Sequence, residues 1–260
     1  TQSHLSKRNR KLAKEEKKEA RKKAIIDAQV TQKQHQKWAK EIREHLFAIL
    51  FGFLKSPEKN VSLLSSCMSA ISKFCEFLGI EYFSDLTNCI KKICKEYCDD
   101  VLLSLYCTCA VFTMSNRLEA ASSLDLKFFY DQFYAALQDS KALLPHLTLA
   151  QKTFAHLFKS RKILPKERVA SFAHRLAQAA SNCEKVEGSL FYSECLLDLF
   201  THYPSIKPLL QDEQVNNGAY LESCNDPDIC RPFCRKLDLT LFKKRPECSV
   251  IFRKLSGLLN

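Results

Sequence analysis

With 260 residues, 46% of them hydrophobic and 18 of them Phe, the chain carries enough apolar area for one large domain or two modest ones. Only 5 Gly and 8 Pro are present, which argues against a sandwich or barrel with many tight turns and for helices joined by short loops. The net charge of +11 is concentrated: residues 1–45 hold 14 Lys and Arg against 6 Asp and Glu, while the other 215 hold 26 against 23, so a near-neutral body carries one basic arm.

No Gly or Pro interrupts residues 1–51, so nothing there breaks a helix. From Lys7 to Lys33 apolar residues are sparse, and a helix this polar bridges, binds a partner or frays. Trp38, Ile42, Leu46, Ile49 and Phe53 then fall at helical spacing, predicting that the arm enters the body as a helix with one buried face; Ser56-Pro57 ends it. Ile71, Phe74, Cys75 and Leu78 form the next stripe, closed by Gly79, and Leu86, Ile90, Ile93, Cys94 and Tyr97 the one after. Val101 to Phe112 is apolar nearly all round, as a central buried helix should be. Leu126, Phe129, Tyr130, Phe133, Tyr134 and Leu137 give the clearest amphipathic pattern. Further helices are predicted at Leu147–Phe158, Lys166–Ala180 and Leu190–His202, with Pro204 and Pro208 bracketing a turn.

The expected fold is therefore all-α: an irregular HEAT- or armadillo-like helical solenoid with a long basic N-terminal helix. No repeat of fixed period stands out, so the repeat is degenerate, and an irregular helical bundle is the alternative. The division expected is a basic, mostly polar arm over 1–37 and a helical-repeat body over 38–260.

Catalytic signatures are absent: no Gly-rich phosphate loop, no zinc-protease pair of histidines, no nucleophile elbow, and seven His scattered singly. The chain reads as a non-enzyme without a cofactor. Thirteen Cys, an odd number lying mostly in apolar helical patterns with no secretory signal, predict reduced, buried thiols of the cytosol or nucleus. The gaps between Cys224, Cys230, Cys234 and Cys248 do not match a zinc finger or ribbon, so no metal site is expected. No apolar run reaches ~18 residues; Leu46–Leu54 reads as a core helix. In the arm, Lys7, Arg8, Arg10, Lys11, Lys14, Lys17, Lys18, Arg21, Lys22 and Lys23 form clusters split by a short spacer. This is the pattern of a two-part nuclear localisation signal, and the same charges suit phosphate neutralisation. A solvated helix pairing these cations with Glu15, Glu16 and Glu19 is the competing reading, but it leaves so concentrated a surplus unexplained.

Residues 218–242 read GAYLESCNDPDICRPFCRKLDLTLF. Gly218 permits a turn, Asn225-Asp226-Pro227-Asp228 is a turn and cap cluster, and Leu237, Leu239, Leu241 and Phe242 are apolar anchors. The segment resembles the one in nucleolar proteins with a CCAAT-binding-factor-type domain, where a G-x-Y loop precedes an acidic Asp-Pro turn and a helix follows. The arm RKLAKEEKKEARKK leading into HLFAILFGFLKSP, then DLKFFYDQFYAAL and ILPKERVASFAHRLAQ, stand in the same order. Over most of residues 7–255 the chain is similar to the nucleolar complex protein 3 subfamily, with the CCAAT-binding-factor-type region at about 165–255. The resemblance implies a scaffold that assembles the large (60S) ribosomal subunit in the nucleus and nucleolus, on pre-ribosomal RNA and early particles. It also implies a heterodimer partner resembling nucleolar complex protein 2, and places the partner surface on Gly218, Tyr220, Asn225, Asp226, Pro227, Asp228, Pro232, Phe233, Leu237 and Leu239. A chromatin- or DNA-bound role in replication or transcription is the alternative function; a helical adaptor with only a localisation signal is the third.

Overall fold

The structure, a computed structural model, describes residues 7–56, 60–79, 82–97, 99–117, 125–159, 164–211, 218–239 and 246–257. Among them the regular structure is helical, with no strand: α1 (Lys7–Lys55), α2 (Val61–Phe74), α3 (Phe83–Glu96), α4 (Val101–Arg117), α5 (Lys127–Ala136), the short α6 (Ser140–Leu143), α7 (Leu147–Phe158), α8 (Lys166–Asn182), α9 (Val186–His202) and α10 (Ser249–Gly257). Short polar side chains start several of these by satisfying the free amides of the first turn. Asn60 Oδ1 accepts from the amides of Ser62 (2.9 Å) and Leu63 (3.4 Å), and Asp139 Oδ1 from those of Lys141 and Ala142. At α4, Asp100 Oδ1 accepts from the amide of Leu103 at 2.8 Å. No helix among the described residues is long and apolar enough to cross a membrane.

The chain divides into two units, Thr1–Phe53 and Leu54–Asn260. In the first, α1 departs from the expected buried face. Trp38 is 49% exposed, Ile42 66% and Ile49 70%, whereas Phe47 is buried. The run from Leu46 to Leu54 is apolar around its whole circumference, so periodicity could not select which side is covered.

In the second unit, α4 packs against α2, α3, α5 and α7, and α9 packs against α7, α8 and α10. The expected central helix is thus α4, with Leu103, Cys107, Ala110, Val111 and Met114 fully buried. The stripe from Leu126 to Leu137 is buried along its length. Its rings meet those of α7 and α8: Phe172 packs edge-on against Tyr134 and Phe158, each at 5.0 Å, and stacks on Phe133 at 6.2 Å. Such ring pairs add roughly 0.5–1.5 kcal/mol each beyond the area they bury. Phe74 proves exposed, because α2 turns Leu64, Met68 and Ile71 inward and passes into a 3-10 turn at Cys75. α9 starts four residues before the expected Leu190, taking in Gly188 where the helix approaches Leu144 and Cys183. The twelve described cysteines are free thiols, ten of them buried.

Candidate nucleic-acid interface and partner surface

The basic arm is helical from Lys7 onward. At 100° per residue, Lys14, Lys17, Lys18 and Arg21 fall within an arc of about 100° on one side of α1, with Lys22 beside it. All five are exposed, as is Lys23. Among the described residues none of the six lies within 4.0 Å of a carboxylate, although Lys37–Glu41 and Lys40–Glu44 do pair further along the helix. Lys7, Arg8, Arg10 and Lys11 stand on the same helix; their side chains lie outside the described residues. An exposed helical row of cations can neutralise successive phosphates without reading base sequence.

The second site follows from the buried polar side of α8. Arg168, Ser171, Arg175 and Gln178 recur every three or four residues along α8, with His174 beside Arg175, in a middle stretch whose other residues are apolar. Residues 218–239 lie across this line as an irregular strap. Arg168 donates Nε and Nη2 to the two oxygens of Asp228, both at 2.7 Å, and its guanidinium covers Tyr130 at 4.3 Å. Lys127 reaches Asp226 at 2.6 Å and Asp228 at 3.4 Å. The Arg168 guanidinium holds the Asp228 carboxyl below its usual range. Asp131, by contrast, is pushed up to about 6 by burial; among the described residues its Oδ1 accepts no hydrogen bond, and Lys127 Nζ lies 3.8 Å from it.

Ser171 donates to the carbonyl of Pro227 at 2.6 Å, and His174 Nε2 donates to that of Pro232 at 2.9 Å. Burial drives His174 down to about 4, so its ring is neutral, and Tyr220 stacks on it at 4.5 Å. Arg175, 1% exposed, donates to Gln138 Oε1 (2.6 Å) and the Cys224 carbonyl (2.8 Å) and covers Tyr134 at 4.1 Å. Its Nε has no partner among the described residues.

The structure thus brings the strap residues together on α8 and α5. Pro227, Pro232, Phe233 and Leu237 are buried, the last donating its amide to Leu209 at 2.9 Å. Tyr220, Asp226, Asp228 and Leu239 are half-buried, and Gly218 and Asn225 are exposed. Gly218 takes φ +136, which only glycine adopts without strain. The helix expected after the Asp-Pro turn is instead one 3-10 turn, Pro232–Cys234, followed by extended backbone. Arg231 in the left-handed conformation and Pro232, which lacks an amide donor, stop an α-helix there. Leu241 and Phe242 lie outside the described residues. Sequence reading missed Lys127, Arg168, His174 and Arg175; the polar residues spaced along the apolar middle of α8 are the signal by which the last three could have been found.

The sequence model of the CBF/Mak21 family matches residues 104–243, which contain α5 to α9 and the strap. Nucleolar complex protein 3 homologs of Caenorhabditis briggsae and Danio rerio are each 26% identical to the chain over 88% of its length and 29% of theirs. Nucleolar complex-associated protein 3 of Schizosaccharomyces pombe is 25% identical over 87% of the chain and 35% of its own length. The chain spans about a third or less of the relatives it matches.

Proposed function

Because the chain belongs to the CBF/Mak21 family, we propose that it is a non-enzymatic scaffold of large (60S) ribosomal subunit assembly, acting in the nucleolus. The observation that carries the reading is the exposed basic row of α1, attached to a chain whose relatives bear nucleolar complex names. Lys7, Arg8, Arg10, Lys11, Lys14, Lys17, Lys18, Arg21, Lys22 and Lys23 contact pre-ribosomal RNA and serve nuclear import. The outer side of the strap, with Gly218, Tyr220, Asn225, Asp226, Asp228 and Leu239, faces a protein partner resembling nucleolar complex protein 2. Pro227, Pro232, Phe233 and Leu237 hold that surface in shape from within.

On this reading residues 1–37 are the RNA-facing arm and 38–260 the scaffold body, with helices stacked as degenerate HEAT- or armadillo-like repeats. Supporting the last point, α3 and α4, and α8 and α9, are successive helices that pack on each other across short connections. Sedimentation of the tagged chain from nuclear extract provides the test. Comigration with large-subunit precursor particles is expected; exclusive recovery with chromatin overturns the proposal.

A further inference from the structure

Toward its C-terminal end α3 carries Lys91, Lys92 and Lys95, where the free carbonyls of the last turn favour positive charge. Lys91 is half-buried and the other two are exposed. Lys91 and Lys95 stand one turn apart and reach the same ring. Lys91 Nζ lies 5.3 Å, and Lys95 Nζ 5.6 Å, from the centroid of Phe128, itself half-buried on α5. The ring face attracts both ammonium groups and so holds them close together. Like charges at this spacing repel. Elsewhere the chain sets an acid one turn beyond a lysine, as in Lys37–Glu41, Lys40–Glu44 and Lys127–Asp131. Here the residue one turn on is a second lysine.

Three other cations laid over rings also meet an acceptor. Arg168 over Tyr130 meets Asp228, Arg175 over Tyr134 meets Gln138, and Lys166 over Phe233 lies 3.9 Å from Glu167. Lys91 and Lys95 do not. Among the described residues no carboxylate comes within 4.0 Å of either, nor of Lys92, although Glu96 stands one turn past it. A ring occupies one side of an ammonium group and leaves N–H donors facing outward. The element still wanting is an anion. Lysine is depleted in protein–protein interfaces, and flat carboxylates are best gripped by the planar arginine fork that the strap contacts use. A compact ammonium instead meets a phosphate as a point charge.

We propose that Lys91 and Lys95, with Lys92 beside them, form a second RNA contact, on the helical body and additional to the basic row of α1. They neutralise backbone phosphates and read no bases. The inference rests on the reading of the chain as an RNA-bound scaffold.

The test is fluorescence anisotropy of a labelled single-stranded RNA of mixed sequence with the intact chain, over a salt series. Lys91→Gln combined with Lys95→Gln should lower the slope of log affinity against log salt by about 1.4, the value for two phosphates, and weaken binding on the order of tenfold at about 0.1 M salt. Lys91→Arg combined with Lys95→Arg keeps the charges and should keep both the slope and the affinity. Lys92 touches no ring, so Lys92→Gln should lower the slope by about 0.7 with an unchanged thermal midpoint, which separates lost binding from lost folding. A peptide of ten glutamates is the second probe. Wild-type slopes in the Gln variants, loss of RNA binding by the Arg pair, or Gln variants that weaken the peptide but not the RNA would each overturn the proposal. Sedimentation run in parallel separates the two readings. Comigration with large-subunit precursors at a wild-type slope removes only the α3 contact; the expected slopes with recovery on chromatin alone remove only the ribosomal role.

Discussion

A methyl group placed on Gly188, in the first turn of α9, would stand 2.5 Å from Cys183 Sγ and 2.8 Å from Leu144 Cδ2. Neither neighbour can retreat freely, because Cys183 is buried at the end of α8 and Leu144 lies in the turn after α6. Gly188→Ala should therefore cost about 1–3 kcal/mol by overpacking, read as a lower midpoint in a thermal melt. His174 makes a different kind of prediction. A histidine held at about 4 when folded and near 6.5 when unfolded contributes stability that is whole above pH 6.5 and is lost as the pH falls toward 4. The shift corresponds to about 3 kcal/mol. Asp131 acts with the opposite sign: raised to about 6, its ionised form costs stability above that pH, and protonation below it relieves the cost. The two effects oppose each other in the wild-type melt. In His174→Gln the acid-side loss between pH 6.5 and 4 should disappear, so the variant's midpoint falls less over that window than the wild type's.

At the scale of elements, the strap is held by polar contacts more than by secondary structure. Asp228→Ala removes the two-point pair with Arg168 and part of the Lys127 interaction, leaving a mostly buried guanidinium without its carboxylate. We expect faster hydrogen exchange across 220–238 with α9 unaffected; uniform protection in the variant would show that the apolar anchors alone hold the strap. This element also shows where sequence reasoning stops. The stripe of α5 and the limits of α7 were legible because one apolar face recurs at helical spacing and contacts are local. The strap has no periodicity, and its partners on α8 stand 44 to 60 residues away in sequence and Lys127 101 from Asp228, so nothing near Asp228 or Cys224 announced Arg168 or Arg175. In α1 the failure was of the opposite kind, since Leu46–Leu54 offers too many apolar faces and Trp38, Ile42 and Ile49 stayed outside.

For the whole molecule the decisive property is that charge and packing are segregated, the cations on α1 and the aromatic core among α4, α5, α7 and α8. Replacing Lys14, Lys17, Lys18 and Arg21 by Glu should leave the melting of the core unchanged while weakening RNA binding at every sequence. The slope of log affinity against log salt should fall by about 0.7–0.9 for each phosphate that is no longer neutralised, measured by filter binding over a salt series. A variant with the wild-type slope would remove α1 from the interface. The buried guanidinium of Arg175 carries a consequence in time. Its carbonyl acceptor, on Cys224, is synthesised 49 residues later, roughly 2–10 s at about 5–20 residues per second. During that interval α8 emerges from the ribosome with its polar line still in water, and its docking must wait for the strap. A nascent chain halted before Cys224 thus presents α8 without the carbonyl that Arg175 donates to in the finished fold.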